Sequence, residues 1–173
     1  MTCINRFRAL LVSSSLTLLS SCAGYQVTLN DRTIYEPPPL FQDFTIPDDG
    51  LRQCIAQHIS DQNITKAEQL QRVVCSYTDI ISLQGIEVFT EIRQLNVAHN
   101  KITNLASIAG LSALEQFSAK DNRLTDVSAL AGLEHLHHLD LSDNPTLSCD
   151  HLELVLKNTP ASATLLMPAQ CVE

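Results

Sequence analysis

Three histidines and two aspartates fall within ten residues, in "HLHHLDLSDN" at 135–144. Imidazole and carboxylate both bind zinc, so a run this dense is where a metal centre would be sought. Such a centre needs three or four converging ligands, and convergence depends on the element that carries them. Leu136, Leu139 and Leu141 interleave with the polar residues. On a strand those leucines face one way, and His138, Asp140 and Ser142 face the other. Only His138 and Asp140 then share a face, while His137 lies beside that row and His135 belongs to the preceding connection. The stretch reads as polar surface over an apolar row, and neither a metal site nor a cofactor is expected. The chain also lacks a Gly-rich phosphate loop, an H-E-x-x-H pair and a nucleophile elbow. Ser142 sits near histidines with no evident base geometry, so an enzyme is not expected.

The spacing of those leucines leads to the scaffold. From residue 73 onward the chain repeats every 22 residues: Asn100, Asn122 and Asn144 keep that step, as do Leu95, Phe117 and Leu139. Val97, Ala119 and Leu141 follow it, and so do the pairs Ile102 and Leu124, Leu105 and Val127, and Ile108 and Leu130. One step earlier lie Val73, Cys75, Ile80, Leu83, Ile86, Phe89 and Ile92, with Thr78 where asparagine would stand. A period of this length is the mark of stacked units that bury a shared core.

"IRQLNVAHNKI", "LEQFSAKDNRL" and "LHHLDLSDNPTL" resemble the leucine-rich repeat, and the 22-residue unit with "NKITNLASIAGLSAL" looks like the internalin type. The resemblance covers residues 73–147 and departs at Thr78, Ala119 and Pro145-Thr146, as end units would. It implies an α/β solenoid, a short right-handed coil of about four units with parallel strands. Each strand around L-x-L turns alternate residues inward. Asn100, Asn122 and Asn144 then form a structural ladder, because each amide can both donate to and accept from a turn that strand pairing leaves open.

The outward strand residues form the expected working surface. By unit they are Arg72, Val74, Ser76 and Tyr77; Gln94, Asn96, Ala98 and His99; Gln116, Ser118, Lys120 and Asp121; His138, Asp140, Ser142 and Asp143. Eleven of these are the candidate partner-binding residues: Arg72, Tyr77, Gln94, Asn96, His99, Gln116, Lys120, Asp121, His138, Asp140 and Asp143. They run from a cationic and aromatic end to an acidic end, a gradient able to orient a partner.

A stack has two raw ends. Residues 47–72 are expected to cover the first with two helices: one at 49–62 capped by Asp48 or Asp49, and one at 65–72 opened by a Thr65–Glu68 capping box. Residues 148–173 cover the second, with a helix capped by Ser148 that carries Leu152, Leu154, Val155 and Leu156. Four cysteines serve these caps. On the implied fold, four strands separate the ends by about 15–20 Å, whereas a disulfide needs its Cα atoms within about 7 Å. The expected pairs are Cys54–Cys75 and Cys149–Cys171.

The N-terminus carries processing signals. Arg6 and Arg8 precede an apolar run at 9–19 that is too short to span a bilayer, as in a secretory signal peptide. "LSSC" resembles the lipobox of bacterial lipoproteins, which implies cleavage after residue 21 and a lipid on Cys22. Ala23 follows where inner-membrane retention tends to use aspartate, so the outer membrane is implied. Residues 22–46, with Pro37-Pro38-Pro39, form a tether of about 25–30 Å whose last part, from Phe41, can dock. Tyr25, Val27 and Leu29 alternate and predict a short strand within it. The whole chain has 11 basic and 19 acidic residues; without residues 1–21 the balance is 9 against 19, or −10. An acidic chain with no basic stripe argues against nucleic acid. The function expected is a membrane-anchored module that binds an envelope protein through its strand face. The alternatives are a structural accessory subunit working through its caps and edges, or a glycan or peptidoglycan binder.

Overall fold

The computed structural model describes residues 27–29 and 32–172. The signal peptide, Cys22 and Tyr25 lie outside the described residues. The chain divides after Pro39 into two units. In the first, β1 (Val27–Leu29) and β2 (Arg32–Tyr35) pair antiparallel, with the register slipping between Val27 and Thr28.

The second unit begins with an extended strap. Ile46 is buried, and Phe41 and Phe44 pack against Phe89 with ring centroids 5.9 and 5.6 Å away. The Phe41 amide donates to the Ile64 carbonyl at 2.8 Å, which ties the strap to the end of the next helix. Gly85 has φ 94°, and a Cβ there would stand 2.3 Å from the Thr45 carbonyl. Only glycine lets the strap lie this close to the first repeat.

Helix α1 (Asp49–Asp61) forms because Asp48 caps it, its side chain accepting from the Leu51 amide, and because Leu51, Ile55 and Ile59 recur on one buried face. Asn63 (φ 53°) ends it in the left-handed region, with the Ile64 amide returning to the Ile59 carbonyl at 2.9 Å. The second expected helix does not form. A single 3-10 turn, Ala67–Gln69, stands in its place. Gln69, and not Glu68, closes it: its side-chain oxygen accepts from the Thr65 and Lys66 amides at 2.8 and 3.1 Å. The physical reason is the sheet. Leu70 is already extended, and the Gln71 carbonyl is taken by the Arg93 and Gln94 amides of the next unit.

Strands β3 (Arg72–Val74), β4 (Gln94–Asn96), β5 (Gln116–Ser118) and β6 (His138–Asp140) follow, paired parallel with each residue opposite the one 22 further on. The sequence predicts four strands; the sheet has five. Helix α2 (Leu152–Asn158) carries the expected leucines, burying Leu152 and Val155 and leaving Leu156 half in solvent; the Leu154 side chain lies outside those described. After it the chain returns as β7 (Thr164–Leu166), parallel to β6. "TLL" can pair there because β6 would otherwise expose a ladder edge.

Buried leucines, isoleucines, valines and the fully enclosed Phe89 and Phe117 fill the inside of the coil. Two disulfides close the caps: Cys54–Cys75 joins α1 to the residue after β3, and Cys149–Cys171 joins the two ends of the C-terminal cap. Among the described residues no helix is long and apolar enough to cross a membrane.

Candidate functional site

The asparagine ladder sets the geometry of the strand face. Asn100 Nδ2 donates to the carbonyls of Cys75 (2.8 Å) and Val97 (2.9 Å), while its Oδ1 accepts from the Thr78 and Ile80 amides, both at 3.1 Å. Asn122 and Asn144 repeat the scheme one and two units on, donating to Val97 and Ala119 respectively and accepting from Ile102 and Leu124. Each amide therefore sews its own turn to the one before. In the first unit the Thr78 hydroxyl donates to the Cys75 carbonyl at 3.1 Å, supplying the bond that the amide would have made.

One residue before each of these positions the backbone turns left-handed: Tyr77 (φ 59°), His99 (57°), Asp121 (51°) and Asp143 (58°). That conformation swings their side chains into a single row along the mouth of the strand face. Histidine and aspartate tolerate it better than most residues, and tyrosine does not share that tolerance. The 22-residue step places these four positions together on the outward face; it does not give the left-handed backbone they share.

The row is internally bonded. The Tyr77 ring stacks on His99 with centroids 4.2 Å apart and planes 9° from parallel. His99 Nδ1 meets Asp121 Oδ2 at 2.8 Å, and Lys120 Nζ meets Asp143 Oδ2 at 3.4 Å. On the strands Gln94 Nε2 donates to Gln116 Oε1 at 2.9 Å, and the Ser76 hydroxyl donates to Asn96 Oδ1 at 3.1 Å. Asp140 Oδ1 accepts from the Ser142 hydroxyl at 2.6 Å, which occupies that carboxylate oxygen locally. The structure thus brings all eleven candidates into one bonded or adjoining surface, with His138 opposite Gln116 in the ladder. Arg72 starts the same row opposite Gln94, exposed at the edge of the sheet.

Two placements differ from expectation. Ala98, read as outward, is only 7% exposed. A methyl group in a closely spaced row presents little area to solvent. Leu166, which the sequence reading missed because β7 was not foreseen, extends the row Val74–Asn96–Ser118–Asp140 by one strand. Val74 and Leu166 are 40% and 47% exposed, so a polar centre lies between two apolar ends.

Charge is otherwise carried at the rim. Lys101 Nζ meets Asp79 Oδ1 at 2.7 Å, and Arg93 pairs with Glu115. At the N-terminal cap burial raises the pKa of Asp48, but the amides of Leu51, Ile81, Ser82 and Gly50 outweigh that and hold it below the ordinary carboxylate value. An open apolar hollow lined by Leu40, Phe41, Gln42, Phe44, Ala56 and Ile59 lies at the same cap.

Comparison with known proteins follows this geometry. Residues 46–161 match the family described as the Endo-beta-N-acetylglucosaminidase EndoS LRR domain. A solved internalin (inlF) from Listeria monocytogenes is 26% identical, with a TM-score of 0.61 over 72% of this chain and 37% of that one. Another internalin from Listeria monocytogenes (inlC2) is 26% identical, with a TM-score of 0.42 over 53% of this chain and 37% of that one. The chain therefore spans little more than a third of the length of either internalin. No curated protein matches it.

Proposed function

The chain belongs to the leucine-rich-repeat family typified by the EndoS repeat domain, and on that premise we propose that it is a binding module holding an envelope protein against its strand face. The fold points to protein–protein interaction, and the anchor and partner are our extension of it. The observation that carries the reading is the left-handed row, in which an exposed tyrosine is braced flat by His99 and Asp121. A braced aromatic loses little freedom on binding, which is why such residues dominate interfaces.

Size sets the affinity. Five strands make a face about 24 Å wide and about 15 Å along the strands, roughly half the 800 Å² per partner of a stable interface. Binding is therefore weak on its own, and a lipid on Cys22 would offset this by raising local concentration at the outer membrane. The test is site-specific photocrosslinking in intact cells from positions 77 and 99, followed by affinity purification from detergent-solubilised envelopes. One protein crosslinked from both positions supports the reading. Contacts confined to the caps overturn it.

The accessory reading is favoured by one observation, the exposure of Leu156 and Val172 in the C-terminal cap. Crosslinks from position 156 or 172 alone would select it. A glycan reading rests on the Tyr77 ring, the one exposed aromatic among the described strand-face residues. Retention on purified sacculi would support it, and its loss in Tyr77→Ala would assign it to this ring.

A further inference from the structure

Three ligand-bearing side chains meet where α1 lies along the edge of the sheet. Cys54 and His58 are one helical turn apart and so share the face of α1 turned to β3. Cys75 arrives from the residue after β3. The ligating atoms of Cys54, His58 and Cys75 all lie within 4.8 Å of one another. In the oxidised chain the two sulfurs are bonded to each other, and His58 has no part in that bond. Its Nε2 stands 3.1 Å from the Val74 carbonyl, which the Cys54 sulfur also approaches at 3.3 Å. The other nitrogen, Nδ1, is held by the Gln62 side-chain amide at 3.1 Å, one turn further along α1. As it stands the Gln62 amide nitrogen donates to Nδ1, and the Val74 amide donates to Nε2 at 3.0 Å. With the Gln62 amide turned so that its oxygen accepts from Nδ1–H, it would give the outer support that metal-binding histidines commonly have, and Nε2 would exchange Val74 for the metal.

We propose that Cys54, His58 and Cys75 form a redox-gated site for a borderline-soft divalent cation of the zinc class, closed by the disulfide and opened by its reduction. A dithiol donor supplies two electrons and two protons and itself becomes a disulfide. The Cys54–Cys75 bond breaks, and two S–H groups form. The cation displaces those two protons and makes two metal–sulfur bonds, while neutral His58 adds one nitrogen. Water takes the fourth position. Bonds of about 2.3 Å to sulfur and 2.0 Å to nitrogen set ligand atoms about 3.5–3.8 Å apart in a tetrahedron. The present spacing reaches that by side-chain rotation, with the Cα atoms of the two cysteines already 5.8 Å apart. The contacts of His58 with Val74 serve the sheet edge in the oxidised state and give way when metal binds. Disulfide and metal exclude each other, so occupancy at the N-terminal cap would report the reducing state of its surroundings.

The test uses the full chain with Cys3, Cys22, Cys149 and Cys171 replaced by serine, which leaves Cys54 and Cys75 as the only thiols. It is titrated with Co²⁺ in oxidised form and after reduction by a phosphine, with circular dichroism recorded throughout. The expected result is one Co²⁺ per reduced chain, a thiolate-to-cobalt charge-transfer band, displacement by Zn²⁺, and no band in the oxidised chain. His58→Ala should weaken the affinity at least tenfold. A reduced chain that has lost structure should regain its native spectrum as metal is added. No band, an affinity unchanged by His58→Ala, or cobalt bound without native structure would each overturn the proposal.

Discussion

The ring of Tyr77 lies flat against the imidazole of His99, 4.2 Å between centroids, on two backbones that both turn left-handed. Tyrosine is poorly suited to that conformation, whereas asparagine adopts it readily. Its presence at the head of a row that continues with His99, Asp121 and Asp143 is therefore a local cost, of the kind functional positions carry. Tyr77→Asn should raise stability by up to about 1 kcal/mol, read as a later urea midpoint. The same variant should lower partner capture about tenfold or more, as loss of an aromatic anchor does. A variant that is both more stable and fully binding would remove Tyr77 from the interface.

Asn122 is the middle member of the ladder and has a complete unit on either side. Asn122→Ala would leave the Ile102 amide without its partner inside the coil and take one of two amide donors from each of the Val97 and Ala119 carbonyls, which keep Asn100 and Asn144. One buried group left unpaired costs about 1–3 kcal/mol and each further bond lost about 1 kcal/mol, so the loss should reach about 3–5 kcal/mol by chemical denaturation. Thr78→Ala removes one hydroxyl bond at the open end and should cost only about 1 kcal/mol. Similar losses for the two would mean that the ladder is not what joins the turns.

How much of this was legible before the fold was known follows from the kind of physics involved. The inward leucines and Asn100, Asn122 and Asn144 could be read from the sequence because burial repeats every 22 residues and each unit meets the same neighbours. The pairing of Cys54 with Cys75 followed once the ends of a stack were known to lie far apart. The helix at 65–72 failed because local propensity yielded to the hold of the next unit, at Arg93 and Gln94, on the Gln71 carbonyl, a tertiary effect. Strand β7 was missed because "TLL" becomes a strand only when β6 offers it an edge. Tyr77, His99, Asp121 and Asp143 were legible as outward positions by the same 22-residue step, but their left-handed turn was not, because hydropathy does not encode backbone dihedrals.

Asp48 links two elements distant in sequence. One carboxylate oxygen caps α1 through the Leu51 amide, and the other accepts from the Ile81 and Ser82 amides of the first repeat at 2.9 and 3.2 Å. Burial alone would raise its pKa, but these amides outweigh that and lower it. A folded value below the unfolded one of about 3.9 means that the group stabilises the fold above that pH. The contribution is lost as pH falls through the folded value. Asp48→Asn should cost about 1–2 kcal/mol at neutral pH. It should also flatten the decline in stability below about pH 4, measured as denaturation midpoints across the acid range. An unchanged acid limb would show that other carboxylates govern it.

The Cys149–Cys171 disulfide spans 22 residues that include all of α2 and β7. Closing a loop of that length stabilises by about 3 kcal/mol, and in a stacked protein the benefit falls mainly on the units nearest the crosslink. Strand β7 meets only β6 within the sheet, and its exposed Leu166 adds little burial of its own. In Cys149→Ser/Cys171→Ser, the cap should therefore open locally before the rest unfolds. Hydrogen exchange should quicken about a hundredfold at the Thr164 amide, which reaches the His137 carbonyl, and at the Leu141 amide, which reaches Leu166. Exchange at Val97 and Ala119, bonded further back in the stack, should change less than about threefold. Equal acceleration along the whole sheet would instead mean that the five strands unfold as one cooperative body, with the cap stabilising all of them alike.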